Sequence, residues 1–204
     1  MAKSLSLTLL GNFSAMVGDQ AIETFRTNKA QALFIILTAE SSDHRRESVM
    51  TMLWPGMPER SARHNLRQAL YHLRQVIPEV SANRRPLESG DFDAGETAVV
   101  PLLLANRRTM RLNPRAAVHV DVRRFSHLIA TWQAHEHLDL LTCSTCRETL
   151  EEAIALYHGD FLADFYLDDS NEFEEWAESK RYSYRRKALD ALETLTSMKM
   201  RQKA

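Results

Sequence analysis

Two groups of residues in this chain have types and spacings suited to chemistry. The first lies in HEHLDLLTCSTC, residues 135–146. His135, His137, Cys143 and Cys146 offer two imidazoles and a C-x-x-C pair, the four ligands that tetrahedral zinc takes. An H-x-H step on a continuous helix points its two rings apart, so the four converge only where a helix frays before His135. The plain alternative is a reduced thiol pair in an inter-helix loop, and spacing alone favours it. A thioredoxin-like redox role lacks the βαβ context it needs. Structural zinc is thus the one cofactor the sequence suggests.

The second group lies in residues 58–77, where Ala62, Leu66, Ala69, Leu70, Leu73 and Ile77 recur at steps of three and four and predict one buried helical stripe. The opposite face carries Ser61, His64, Asn65, Arg67, Gln68, Tyr71 and His72, with Arg63 and Arg74 at its edges. Four Arg against one Glu give this stretch a formal charge of +3. Arg, Asn, Gln, His and Tyr on one wet face can read base edges and hold phosphates, although a solvated helix face has a similar composition.

The elements that must position this helix are legible around it. Residues 5–10 alternate as a strand, residues 13–17 form a second, Gly18 and Asp19 a turn, and residues 20–22 a third. Thr27 is placed to cap a helix over residues 28–40 with the stripe Ala32, Leu33, Ile36 and Leu37. A short helix over residues 45–54 turns Val49, Met52 and Leu53 inward, and Pro55, Gly56 and Pro58 turn the chain into the long helix. After a polar loop at 81–98, residues 99–112 read as a β-hairpin. Leu102 and Leu104 share a face with Met110 and Leu112, and Arg107, Arg108 and Arg111 stand at the tip and outer face. An Arg-tipped hairpin behind a basic helix describes a winged helix-turn-helix, with the helix in the major groove and the tip on flanking DNA.

Residues 5–113 therefore resemble the winged-helix DNA-binding domain of the OmpR/PhoB response-regulator type, and more closely the version heading the Streptomyces antibiotic regulatory proteins. RESVMTMLWP (46–55), SARHNLRQALYHLR (61–74) and RTMRLNP (108–114) carry the resemblance. It continues into the second half. One helix is expected to carry Phe125, Leu128, Ile129 and Trp132, and another to lead through LYHGDFL (156–162) with Gly159 as its stop. A third, capped by Asp169 with Glu172, should carry Phe173, Trp176, Ala177, Tyr184, Ala188, Leu192 and Leu195. These features resemble the bacterial transcriptional activator domain, an all-helical module related to tetratricopeptide repeats. The chain departs from the family pattern in three places. Arg45 replaces a small hydroxyl cap, so Asp43 is expected to cap instead; the 81–98 loop is long; and Ala204 falls where relatives continue, which suggests an N-terminal fragment.

The expected architecture is an α+β winged helix-turn-helix over residues 1–113, followed by an all-α, tetratricopeptide-repeat-like domain over 114–204. The 204 residues are 44% apolar and 26% charged, which suits one or two folded domains. The first part carries a formal charge of +3 and the second −4. No apolar run reaches membrane-span length and no signal-peptide core opens the chain, so a cytoplasmic protein without a membrane partner is expected. The acids between Asp164 and Glu178 gather where a helix macrodipole favours them. With no phosphate loop and no nucleophile–base–orienter set, no enzyme reading survives. His119, His127 and His158 read as surface or partly packed residues rather than functional ones.

The resemblance implies a sequence-specific transcriptional activator. Double-stranded DNA is its main partner, with RNA polymerase a second and a homodimer as the DNA-bound form. Its expected DNA contacts are Arg63, His64, Asn65, Arg67, Gln68, Tyr71 and His72 on the helix, with Arg107 and Arg108 at the wing. Two alternatives stay open: a protein-interaction adaptor that has lost DNA binding, and a zinc- or redox-responsive regulator.

Overall fold

The computed structural model describes residues 3–77, 79–83, 98–136 and 139–202. Strands predominate near the N-terminus and helices near the C-terminus, in a mixed α+β chain that separates into two compact units. The first unit contains residues up to Leu7, Ser14–His119 and Leu167–Phe173; the second contains Thr8–Phe13, Val120–Tyr166 and the chain from Glu174 onward.

The first unit opens with β1 (Leu5–Thr8), β2 (Ser14–Val17) and β3 (Gln20–Ala21). The β2–β3 pair is antiparallel and turns at Gly18, whose φ of +59° lies in the left-handed region that favours glycine. Thr27 caps α1 (Asn28–Ala39) by accepting a hydrogen bond from Ala30 N at 3.1 Å. The expected stripe of α1 is buried, but so are Phe34 and Ile35, each at 0% exposure. An apolar helix covered on every side is the centre of a core rather than its rim. The short β4 (His44–Arg45) leads into α2 (Arg46–Leu53), and a turn leads into α3 (Glu59–Val76).

All six residues of the predicted α3 stripe are buried. On α2, Val49, Met50 and Leu53 face inward and Met52 is only half-buried, so Met50 takes the place expected of Met52. Asp43 does not cap this helix. Arg45 occupies the cap position without a side-chain bond, and Asp43 Oδ1 pairs with Arg111 Nη1 at 3.2 Å.

The predicted hairpin forms in two pieces, and its first arm is out of register with expectation. β6 (Val99–Pro101) pairs with β5 (Glu79–Ser81), while β7 (Leu103–Ala105) pairs with β8 (Thr109–Leu112). Leu103 faces Leu112 and Ala105 faces Met110, leaving Leu104 opposite Arg111 and 37% exposed. Proline cannot continue a ladder as a donor, and the strand breaks right after Pro101. Asn113 secures the break: its backbone N–H donates to Leu102 O and its amide to Pro101 O. One residue of slip exchanges the two faces of the arm. The polar loop preceding it falls mostly outside the described residues.

The second unit holds α4 (Asp121–Ala134), a 3-10 turn (Leu140–Thr142), α5 (Ser144–Leu156) and most of α6 (Asn171–Gln202). Phe125, Leu128 and Ile129 are buried as expected, and Trp132 is half-buried. On α6 the buried positions are Phe173, Ala177, Arg181, Tyr184, Ala188, Ala191, Leu195 and Met198. Leu192, expected inside, is 43% exposed. It lies one position past Ala191, and a helical step of roughly 100° per residue carries it to the rim of the stripe.

Thr8–Phe13 belongs to this helical unit through specific bonds. The part-buried carboxylate of Asp121 accepts from Leu9 N at 2.7 Å, Leu10 N at 2.8 Å and Val122 N at 2.6 Å. Leu10 also bridges Phe161, and Gly11, with φ +111°, exchanges backbone bonds with Asp160 and Ala163. A fragment starting at residue 114 loses these donors and leaves a part-buried carboxylate under-satisfied. It is expected to melt well below the corresponding transition of the full chain, and calorimetry on both reads the difference directly.

Candidate nucleic-acid interface and thiol–imidazole cluster

The wet face of α3 is arranged much as its spacing predicted. Arg63, His64, Arg67, Gln68 and Tyr71 are exposed, and Asn65 and His72 are half-buried. Asn65 Nδ2 donates to Met57 Sδ at 3.2 Å, so this side chain also anchors the turn before α3. The Tyr71 and His72 rings meet edge-on with centroids 5.6 Å apart. Arg63 pairs with Glu59 one helical turn earlier.

Arg46, at the start of α2, is a residue that sequence reasoning did not assign to the site. Burial and then the charges of Arg74, Arg63 and Arg67 pull its guanidinium below its ordinary pKa. The charges of three α3 guanidiniums are therefore felt at Arg46 on α2. Among the described residues no carboxylate pairs with Arg46, Arg67 or Arg74, and the shielded Arg46 Nε has no hydrogen-bond partner. Like charges repel when crowded in this way, and a polyanion relieves the repulsion. A signal was present in the sequence, because Arg46 is the first helical residue of RESVMTMLWP.

Backbone contacts fix the hairpin tip beside α2. Arg46 N donates to Arg108 O at 2.9 Å, and β4 pairs with β8 through His44–Met110 and Arg45–Thr109. At the tip, Asn106 Oδ1 accepts from Arg108 N and Thr109 N at 2.7 and 2.8 Å, an Asx turn that leaves the Arg107 and Arg108 side chains exposed.

The thiol–imidazole cluster also forms. α4 stops at Ala134, which places His135 at its C-cap, and Cys143 caps α5 with Cys146 three residues on. His135 Nδ1 lies 3.1 Å from Cys146 Sγ and 3.7 Å from Cys143 Sγ, and all three ligand atoms fall within 4.8 Å of one another. Without metal, burial and the neighbouring Cys143 push the Cys146 thiol up to about 11. His137 lies outside the described residues.

The LYHGDFL stretch serves as a structural hub of the helical unit. The Arg185 guanidinium holds the Asp160 carboxyl below the usual range, and Tyr157 donates to Asp160 at 3.0 Å. Phe161 is fully buried against Trp176 and Tyr184. Leu162 is buried despite a φ of +53°, an uncommon conformation for a non-glycine residue. The buried Arg181 donates to Phe161 O at 3.0 Å and, over longer distances, to Leu162 O and Phe165 O.

Residues 120–203 match the family model of the bacterial transcriptional activator domain. Among solved structures the chain is similar to Mycobacterium tuberculosis EmbR in complex with a low affinity phosphopeptide, with a TM-score of 0.62 and 18% identity. That likeness covers 94% of this chain and 45% of EmbR, so the chain spans less than half the length of its structural neighbour. At this identity the likeness is one of fold. Comparison with curated proteins gives no match. Among the described residues no helix is long and apolar enough to cross a membrane.

Proposed function

We propose that this chain is a sequence-specific DNA-binding transcriptional regulator of the activator type, resembling the Streptomyces antibiotic regulatory proteins. Its first part acts as an OmpR/PhoB-type winged helix in the cytoplasm. α3 enters the major groove of double-stranded DNA, and the β7–β8 tip lies on flanking DNA as the wing. The helical part, from about residue 114 onward, serves dimerisation on DNA and contact with RNA polymerase. The observation that carries this reading is the exposed face of α3, which presents Arg63, Arg67 and Arg74 together with Gln68 and Tyr71. Guanidiniums in excess of local carboxylates fit a phosphate backbone, and the intervening polar side chains fit base edges.

Selection of DNA from a random pool by the purified chain tests the reading. Recovery of one enriched motif, bound with strongly salt-dependent affinity, supports it. Binding to a protein partner with no DNA shift at low salt would instead favour an adaptor.

The wing makes a separable prediction. Arg107→Ala and Arg108→Ala are expected to weaken binding to all sequences alike and to lower the salt slope by roughly one unit per lost phosphate contact. Titrations at several salt concentrations on operator and random DNA measure both effects. An unchanged slope would remove the wing from the interface.

A further inference from the structure

We propose that His135, Cys143 and Cys146 are ligands of a structural zinc ion that ties the end of α4 to the start of α5. Tetrahedral zinc, with bonds of about 2.3 Å to sulfur and about 2.0–2.1 Å to nitrogen, places its ligand atoms roughly 3.5–3.8 Å apart. The Nδ1–Sγ separations of 3.1 and 3.7 Å lie close to that range before any metal draws the atoms into position.

The backbone explains why the three side chains meet. The end of α4 at Ala134 frees the His135 ring from the helical repeat, and the 3-10 turn Leu140–Thr142 brings the chain back. Cys143 at the cap and Cys146 three residues later lie on the same side of the first turn of α5.

The chemistry selects the ion. Two thiolates and an imidazole suit zinc, which has no redox chemistry of its own and accepts mixed sulfur and nitrogen ligands. Binding Zn2+ releases the protons of Cys143 and Cys146, and both enter as thiolates. His135 enters as neutral imidazole through Nδ1, with its proton on Nε2. Three protein ligands leave one tetrahedral position for a fourth donor. The ion would join the end of α4 to the start of α5, and binding energy at such a site is folding energy.

The full chain, purified in reducing buffer without added metal, provides the test. Elemental analysis is expected to find about one zinc per chain. Cobalt(II) exchanged into the site should show thiolate-to-metal charge-transfer absorption, and X-ray absorption should show two sulfur ligands. Zinc should shield both cysteines from alkylation in the unaltered chain. A chelator should expose them and lower the unfolding midpoint, and added zinc should restore both. Cys143→Ser and Cys146→Ser should each lose stoichiometric metal. If either variant fails to fold, the chelation and alkylation results on the unaltered chain decide the matter. A zinc-reconstituted chain that retains no metal after dialysis, with both thiols reacting freely, would overturn the proposal. So would a Cys143–Cys146 disulfide that persists in the reducing buffer.

Discussion

Arg181→Ala is expected to destabilise the helical unit by about 3 kcal/mol, on the scale of stranding buried hydrogen-bond acceptors. Arg181 sits within the buried stripe of α6 and is 7% exposed. Its Nε donates to Phe161 O at 3.0 Å, and Nη2 reaches Leu162 O and Phe165 O at 3.5 and 3.4 Å. The guanidinium also stands over the Tyr166 ring, 4.9 Å from its centroid. Its carboxylate partners contribute less to the expected loss. Glu178 at 3.1 Å is 69% exposed and rehydrates when Arg181 is removed, and Glu174 at 3.7 Å lies beyond hydrogen-bond range. The carbonyls have no such recourse, because Phe161 and Leu162 are fully buried. Loss of their donor also releases the loop that holds Leu162 at positive φ. Arg181→Met keeps the apolar stem but no donor, so it should recover only the packing part. Arg181→Lys should recover more, since an ammonium can reach one carbonyl. Denaturant unfolding of the three variants reads the order. If the Arg181→Met variant proved as stable as the unaltered chain, packing alone would matter there.

The sequence made some of this legible and concealed the rest for identifiable reasons. The α3 stripe was readable because six apolar residues repeat at helical spacing opposite a polar face. The Thr27 cap was readable because capping is a local act of one side chain. The register of β7 was not, because the break after Pro101 depends on Asn113, 12 residues downstream. Arg181 escaped notice because an arginine in an apolar repeat looks like an interruption until the carbonyls it meets are known. The recruitment of Thr8–Phe13 to the helical unit depends on Asp121, which lies 112 residues from Leu9. No local pattern encodes such a contact. Within the candidate interface, the charged face of α3 could be read directly, whereas Arg46 joins it only through the packing of α2 beside α3. For the thiol–imidazole cluster, spacing left open whether a helix continued through His135, and the stop at Ala134 lets His135 meet Cys143 and Cys146.

Arg67→Ala and Gln68→Ala are each expected to weaken binding to a selected operator by about 1–3 kcal/mol, the usual cost of a lost base contact. Both side chains are exposed in the middle of α3, outside the buried stripe of Leu66, Ala69 and Leu70. Substitution there removes little packing, so folding should be nearly unchanged and the loss should appear in binding. Arg suits a bidentate contact to guanine, and Gln suits one to adenine. If they read bases, each variant should relax preference at one defined base pair while leaving affinity for random DNA much less affected. Arg46→Ala provides the contrast. Arg46 is part-buried and feels the charges of Arg74, Arg63 and Arg67, which suits a phosphate better than a base edge. Its loss should weaken operator and random DNA alike and lower the salt slope by roughly one unit. Competition titrations against single-base operator variants, repeated at two salt concentrations, separate the two behaviours. If Arg67→Ala and Gln68→Ala weakened random DNA as much as operator, α3 would be gripping phosphates along its whole length, and the sequence-reading role would have to lie on another surface.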